Sequence, residues 1–124
     1  MKILLTGHKG FIGSHLLKAL SEYKIITFDW GDTFPKLDGV DTIIHIGAIS
    51  STTETNVEKI MNQNYDFSCS LLDECLSKNI NFQYSSSASV YGLNQKFTED
   101  RPKSCIQSEI YVLTNLINEL TKFN

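Results

Sequence analysis

Three glycines at intervals of three residues, Gly7, Gly10 and Gly13, follow a short apolar run near the start of this chain. The run itself, residues 2–5, predicts a buried strand, and apolar residues recur after the glycines at the spacing of a helix. The helical positions are Phe11, Ile12, His15, Leu16, Ala19 and Leu20. Such a turn can bring backbone N–H groups and the positive end of a helix against a phosphate, because glycine has no side chain to intervene. The alternative interpretation is an ordinary glycine-rich turn between a strand and a helix.

The rest of the sequence alternates between strand patterns and helix patterns. Further strands are predicted at residues 24–28, 42–46 and about 81–85, and further helices at about 55–78 and roughly 107–123. The first two of these strand patterns are apolar throughout, which is typical of parallel strands buried on both faces. We therefore expect an α/β fold: a reduced, Rossmann-like, doubly wound parallel sheet of about four strands in the order 2-1-3-4, with three main helices.

Two local details of this fold are also predicted. Residues 30–41 connect the second strand to the third with no helical period, and a dozen extended residues reach up to ~40 Å, enough to pass over strand 1 without a helix. Thr55 and Glu58 have the spacing of a capping box at the start of the long helix, and Asn79 is an acceptable stop at its end.

Asp29 ends the second predicted strand, 29 − 7 = 22 residues after Gly7. A carboxylate at this place can accept hydrogen bonds from the hydroxyls of an adenosine ribose. It favours NAD over NADP as the cofactor, because the 2′-phosphate of NADP would meet its negative charge. The alternative interpretation is a residue that only forms the turn after the strand.

The charge balance and the cysteines narrow the choice of partners. The chain has 11 Lys and Arg against 14 Asp and Glu, a net charge of −3, so neither nucleic acid nor an anionic membrane is expected as a partner. No apolar run approaches the ~18 residues of a membrane span. The three cysteines, Cys69, Cys75 and Cys105, have neither disulfide-framework nor metal-site spacing. We expect a cytoplasmic protein without a metal site.

Three stretches of the sequence together carry a resemblance to a known family. They are the glycine turn, the run Ser-Ser-Ser-Ala-Ser-Val-Tyr-Gly at residues 85–92, and Tyr111 at the opening of the last helix. Together they resemble the extended short-chain dehydrogenase/reductases that epimerise or dehydrate nucleotide sugars. Residues 45–54 and 62–65 look most like the ADP-glycero-manno-heptose 6-epimerase branch of that family. The resemblance covers nearly the whole chain.

This resemblance implies a catalytic pair and a dimer. By position the pair is Ser87 and Tyr111, which are 111 − 87 = 24 residues apart. The Tyr111 phenolate would take a proton from a sugar hydroxyl while the adjacent C–H gives hydride to NAD, and Ser87 would hydrogen-bond the reacting oxygen. The alternatives are a serine in a polar turn and a half-buried helix tyrosine. A homodimer would form through helices 55–78 and 107–123.

The resemblance also implies a set of cofactor contacts. They are Gly7, Gly10, Phe11, Ile12, Gly13, Asp29, Gly47, Ala48 and Asn64. Gly47 and Ala48 would let the cofactor pass close to the third strand, and we expect them to matter more than His45. Asn64 and Ser68 fall on the apolar stripe of the long helix, so both should point inward and need partners. Asn64 would help to order the active centre; the alternative is a polar pair satisfied by backbone or water.

The sequence departs from the family pattern in two ways. Asn115 stands where the family has the lysine of Tyr-x-x-x-Lys; it can hydrogen-bond a cofactor ribose, but without a cation the tyrosine pKa stays near ~10 and chemistry is slow or absent. Relatives also have a C-terminal substrate domain, so we expect residues 1–124 to be a single truncated or minimal dinucleotide-binding domain. Two hypotheses follow: an NAD-dependent nucleotide-sugar epimerase or dehydratase, or a catalytically degenerate dinucleotide-binding or interaction module.

Overall fold

The computed structural model describes residues 1–86, which contain four strands and three α-helices. The strands are β1 (Lys2–Thr6), β2 (Lys24–Phe28), β3 (Thr42–His45) and β4 (Asn81–Tyr84). The helices are α1 (Phe11–Ala19), α2 (Val57–Ile60) and α3 (Phe67–Lys78), and a π-helical segment, Met61–Asp66, joins α2 to α3. The predicted helix at 107–123 lies outside the described residues.

The four strands form one parallel sheet in the order β2-β1-β3-β4. In its register Leu4 lies between Ile26 of β2 and Ile43 of β3. The predicted strand order and the predicted α/β class are therefore confirmed. Because the chain winds from β1 to β2 on one side and continues at β3 on the other, the sheet has a topological switch point between β1 and β3.

The core of the sheet is built on β1. Three consecutive residues, Ile3, Leu4 and Leu5, are at most 1% exposed. Successive side chains of a strand point to opposite faces, so this burial means that both faces of β1 are covered. The edge strand β4 instead alternates between exposed and half-buried residues. The continuous apolar run that predicted β1 is thus the pattern of a central parallel strand.

The connection between β2 and β3 crosses β1 without a helix, as predicted. Two of its side chains, Leu37 and Val40, are buried and anchor it. Its end is fixed to the start of β1, because the Lys2 backbone N–H donates to Asp41 Oδ2 over 2.6 Å and the Asp41 N–H donates to the Lys2 carbonyl over 2.9 Å. Thirteen residues, 29–41, therefore suffice to bring β3 to the far side of β1.

The start of the long helix differs from the prediction. The helix begins at Val57, and its N-cap is Asn56, whose Oδ1 accepts the Lys59 backbone N–H over 2.9 Å. The Asn56 N–H in turn donates to Oε1 of Glu54, which precedes the cap. The predicted capping box of Thr55 and Glu58 is wrong, because asparagine is at least as good an N-cap as threonine and Glu54 satisfies the cap's own N–H.

The end of the long helix agrees with the prediction. Asn79 has a φ of +54°, the left-handed conformation in which helices commonly stop, and the Ile80 N–H donates to the Cys75 carbonyl over 2.9 Å. This is the hydrogen bond of a Schellman motif, which satisfies a carbonyl of the last turn. Burial raises the pKa of the Cys75 thiol to about 11, with a smaller contribution from the charge of Glu74, so Cys75 is a neutral core residue at pH 7.

The described residues belong to two compact units. The first comprises Met1–Ala48 and Ser70–Ser85 and contains the whole sheet and α1; the described part of the second comprises Ile49–Cys69 and Ser86. Within residues 1–86, no helix has the length and apolar character needed to cross a bilayer. The same residues contain no group of three His, Cys, Asp or Glu side chains arranged to hold a metal ion.

Candidate functional site

The glycine turn, residues 7–13, joins β1 to α1 and packs against the end of β3. Gly7 has a φ of +73°, and a Cβ atom there would lie 2.6 Å from both Cα and N of Gly47. A Cβ on Gly13 would lie 2.1 Å from the Gly7 carbonyl oxygen. Real Cβ atoms do not approach backbone so closely, so the packing of the chain itself requires glycine at both positions.

Gly10 is different, because the packing of the chain does not require glycine there. A Cβ on Gly10 would meet only the Gly7 carbonyl oxygen, at 3.4 Å, and the residue is exposed with an extended backbone. Gly10 is also the N-cap of α1, has no side chain to cap the helix, and precedes a first turn without acidic residues. The N–H groups and the positive dipole at the start of α1 are therefore left open to an anion.

Other groups at this turn also fit an external ligand. Phe11 and Ile12, the first residues of α1, are 82% and 57% exposed, so two large apolar side chains border the open helix start. Among the residues that the structure describes, His8 has a buried ring atom, Nδ1, with no hydrogen-bond partner. A buried polar atom without a hydrogen-bond partner is costly, so the turn carries a cost that the described residues do not offset.

Asp29 lies directly after β2 and beside the glycine turn, as predicted. Its Oδ2 is 3.4 Å from the backbone N of Lys9, and its Oδ1 accepts the Trp30 N–H over 2.9 Å. The Asp32 N–H donates to the Asp29 carbonyl, and Gly31 has a φ of +97°, which is the geometry of a type II turn. Asp29 thus forms the turn after the strand and also places a carboxylate next to the glycines.

An ion pair that the sequence analysis missed adjoins Asp29. Lys9 Nζ lies 3.0 Å from Oδ1 and 3.2 Å from Oδ2 of Asp32. Asp32 Oδ2 also accepts the Asp29 backbone N–H over 3.0 Å. The hydrogen bond from Lys9 lowers the pKa of Asp32, which keeps this carboxylate ionised at neutral pH. The available sequence signal was Gly31 between two aspartates, which marks a turn that brings them together.

A buried polar pair joins the carboxyl ends of β1 and β3. Thr6 Oγ1 lies 2.6 Å from His45 Nδ1 and accepts the Gly47 N–H over 3.1 Å. His45 is 5% exposed, and burial lowers its pKa from 6.5 to about 4, so its ring is neutral at pH 7. The sequence analysis predicted that Gly47 and Ala48 matter more for cofactor contact than His45. In the structure Ala48 is exposed, and the Thr6 hydroxyl contacts both His45 and Gly47.

The Thr6–His45 pair lies at the switch point between β1 and β3. In open parallel sheets, ligands bind outside the carboxyl ends of the strands at such a point. Gly7 and Gly47 come into contact there, and Asp29 follows the carboxyl end of the neighbouring strand β2. The structure therefore brings together the predicted residues Gly7, Gly10, Gly13, Asp29 and Gly47.

Asn64 belongs to the second unit and is held by backbone within that unit. Its side chain is 3% exposed; Oδ1 accepts the Ile49 N–H over 2.7 Å and Nδ2 donates to the Ile49 carbonyl over 3.0 Å. Ser68, which is 7% exposed, donates its hydroxyl to the Asn64 carbonyl over 2.7 Å. The prediction that both residues point inward is confirmed, and backbone groups satisfy both side chains.

The predicted catalytic residues, Ser87, Tyr111 and Asn115, lie outside the described residues. Their roles remain predictions from the sequence.

Comparisons with known proteins agree with this geometry. The model of the NAD dependent epimerase/dehydratase family matches residues 3–120. Among curated proteins, the ADP-L-glycero-D-manno-heptose-6-epimerase of Pseudomonas aeruginosa (strain UCBPP-PA14) is 36% identical over 130 aligned positions, which cover 82% of this chain and 39% of that protein.

Solved structures show the same similarity. The ADP-L-glycero-D-manno-heptose-6-epimerase of Helicobacter pylori matches with a TM-score of 0.83 and 25% identity, over 98% of this chain and 50% of that one. A short-chain dehydrogenase/reductase superfamily protein of Agrobacterium tumefaciens with bound NAD matches with a TM-score of 0.82 and 26% identity, over 99% of this chain and 44% of that one. The chain therefore spans half or less of the length of these relatives.

Proposed function

This chain belongs to the NAD dependent epimerase/dehydratase family, and on that premise we propose that its glycine turn binds the pyrophosphate of a nicotinamide dinucleotide. The observation that carries this proposal is the contrast among the three glycines. Packing explains Gly7 and Gly13, whereas Gly10 leaves exposed backbone at an uncapped helix start. A pyrophosphate that approaches the N–H groups of this helix start accounts for glycine at position 10.

We propose further that the cofactor is NAD. Asp29 has a carboxylate beside the turn, where it can accept hydrogen bonds from both ribose hydroxyls of NAD. The 2′-phosphate of NADP would bring about two negative charges toward this carboxylate. Phe11, Ile12, Gly47 and Ala48 complete the proposed contacts, and Asn64 is proposed to order the loop that follows β3.

The proposed reaction is hydride transfer at a carbinol carbon of a nucleotide sugar, within an epimerisation or dehydration. Bound NAD supplies the hydride acceptor. Tyr111 would remove the proton of the hydroxyl group that becomes a carbonyl, and Ser87 would donate a hydrogen bond to that oxygen. The Pseudomonas relative, named as a nucleotide-sugar epimerase, supports this substrate class. We expect the protein to act in the cytoplasm. We also expect it to form a homodimer through helices 55–78 and 107–123.

Asn115 makes the alternative hypothesis testable. A lysine four residues after Tyr111 would lower the tyrosine pKa by about 1–3 units, and asparagine carries no charge to do so. If no other cation assists Tyr111, the chain would bind dinucleotide without turnover and act as a binding or interaction module.

The test is an assay of the full chain with NAD and a panel of ADP- and UDP-sugars, followed by product analysis. We expect isomerised or dehydrated product that Tyr111→Phe reduces by about 10²–10⁴-fold, the usual contribution of a general base, while Tyr23→Phe, an exposed tyrosine, has no effect. Asn115→Lys is expected to raise the rate. NAD binding without product, even in the Asn115→Lys variant, would contradict the proposed chemistry and support the alternative.

A further inference from the structure

The ion pair between Lys9 and Asp32 crosses from the glycine turn to the loop after β2. Both Asp32 oxygens lie within 3.2 Å of Lys9 Nζ, although 23 residues separate the two positions in sequence. An ammonium group has three N–H donors, so this contact commits two of them to one carboxylate. Lys9 is the residue between His8 and Gly10, and its positive charge therefore arises within the proposed dinucleotide site.

Asp32 is held in place by more than its charge. Its Oδ2 accepts the Asp29 N–H, and its own N–H donates to the Asp29 carbonyl. The left-handed conformation of Gly31 allows this turn. Because the turn fixes Asp32, the carboxylate stays next to Asp29, and Lys9 is the partner that reaches across to it.

The positions of Asp29, Asp32 and Lys9 set the net charge next to the 2′ substituent of a ribose bound at this site. Asp29, Asp32 and Lys9 together carry a formal charge of −1 at neutral pH, with the single positive charge neutralised by Asp32. Without Asp32, the Lys9 ammonium would be available to a phosphate group at the ribose. NAD has two hydroxyls there, whereas NADP has a phosphate of about −1.5 to −2 charges.

We infer that Asp32 is a specificity-determining residue, which disfavours NADP by holding the Lys9 ammonium in an ion pair beside Asp29. This inference rests on the proposed function, since it concerns which dinucleotide the same site accepts. Two carboxylates then discriminate against the 2′-phosphate. Asp29 repels it directly, and Asp32 keeps the Lys9 ammonium from pairing with it.

The test compares dissociation constants for NAD and NADP in Asp32→Asn and in the unmodified full chain. Asparagine keeps an oxygen that can accept the Asp29 N–H and removes only the charge. Trp30 is the one tryptophan of the chain and directly follows Asp29, so its fluorescence provides the binding signal. We expect Asp32→Asn to shift the ratio of the two constants about tenfold toward NADP, mainly through tighter NADP binding.

Two controls separate the role of Lys9 from a simple loss of negative charge. In the Lys9→Gln background, Asp32→Asn should shift the ratio much less, because there is no ammonium to release. Asp38→Asn, at an exposed position of the same connection, should leave the ratio unchanged. An unchanged ratio in Asp32→Asn, or an equal shift with and without Lys9, would overturn the inference. A failure of the unmodified chain to bind either dinucleotide would instead overturn the proposed function, on which the inference rests.

Discussion

The glycine turn and the loop before the long helix hold irregular backbone in opposite ways. In the turn, Gly7 and Gly13 let backbone pack directly on backbone, with no room for a Cβ. In the loop, residues 49–56, the buried amide of Asn64 takes the place of a neighbouring strand and pairs with both polar groups of Ile49. The turn thus depends on glycine, which has no side chain, at positions 7 and 13. The loop depends on the one side chain of Asn64.

The two solutions differ in how much else the backbone can do. A turn built from glycines leaves N–H groups exposed, as at Gly10 and the start of α1, whereas the Asn64 amide consumes the groups that it holds. The first arrangement therefore suits ligand binding, and the second suits a fixed loop. The two regions should therefore differ in how substitutions and pH change the free energy of unfolding.

The largest effect is expected from Gly13→Ala. Its Cβ would lie 2.1 Å from a backbone oxygen and under 3 Å from two further backbone atoms, so α1 would have to move away from the turn. We expect a loss of at least about 3 kcal/mol in the free energy of unfolding, at the upper end for overpacking. Denaturant unfolding measures this, with Gly10→Ala as the matched control that changes stability by less than about 1 kcal/mol. Equal losses in the two variants would break the distinction between the glycines.

Acid should affect the paired ends of β1 and β3, which adjoin the glycine turn, at a higher pH than the loop. The pKa of His45 is about 4 in the folded chain against an ordinary 6.5, so the unfolded chain binds the extra proton first and stability falls as the pH drops from 6.5 to 4. The total loss is roughly 3 kcal/mol. In the loop, Lys59 lowers the pKa of Glu54, so its contribution is present at neutral pH and is lost only as that carboxyl is protonated, below its ordinary 4.5.

Unfolding free energies measured between pH 7 and pH 4 test this difference. A His45→Gln variant should lose most of the pH dependence between 6.5 and 4, whatever its stability at pH 7. His15→Gln, which removes an exposed histidine of α1, serves as the control. If the unfolding free energy of His45→Gln depends on pH in this range as steeply as that of the unmodified chain, His45 is not a buried neutral residue in the folded chain.

A smaller effect is expected from Asn64→Ala. The substitution leaves the N–H and carbonyl of Ile49 without their partners, and each lost hydrogen bond of a part-buried group costs about 1 kcal/mol, giving about 2 kcal/mol in total. The exposed neighbour Asn62, in the same π-helical segment, is the matched control, since Asn62→Ala should change stability by less than about 0.5 kcal/mol. Hydrogen exchange at Ile49 N–H should accelerate in the first variant alone. Slow exchange at Ile49 in Asn64→Ala would mean that other contacts hold the loop.

The features that sequence reasoning predicted are those written in short, continuous patterns. The buried run of β1 and the glycine spacing after it fix a strand and a turn within a few residues. Asp29 directly follows the short β2 pattern. Asn79 marks a helix end, because asparagine tolerates the left-handed conformation that it has there. The order of the strands follows from the alternation of strand and helix patterns along the chain, which is typical of a doubly wound parallel sheet.

The features that sequence reasoning missed depend on residues far apart in the chain or on a choice between near-equal neighbours. The ion pair of Lys9 with Asp32 joins the glycine turn to the loop after β2, and the pair of Thr6 with His45 joins β1 to β3. No local pattern in the sequence indicates either contact. The N-cap fell on Asn56 instead of Thr55, because both residues can cap a helix and Glu54 decides between them. The π-helical segment has no pattern in sequence that differs from that of an α-helix.

The most direct test of the account is a calorimetric titration of the full chain with NAD, repeated on Gly10→Val. Valine fits the extended backbone of Gly10, and its Cβ meets only the Gly7 oxygen at 3.4 Å, so the variant should fold. We predict that the unmodified chain binds NAD and that Gly10→Val, with its unfolding free energy within about 1 kcal/mol of the unmodified chain, binds at least about tenfold more weakly. Equal affinity of the two chains for NAD, or no binding by the unmodified chain, would contradict the assignment of the glycine turn as the dinucleotide site.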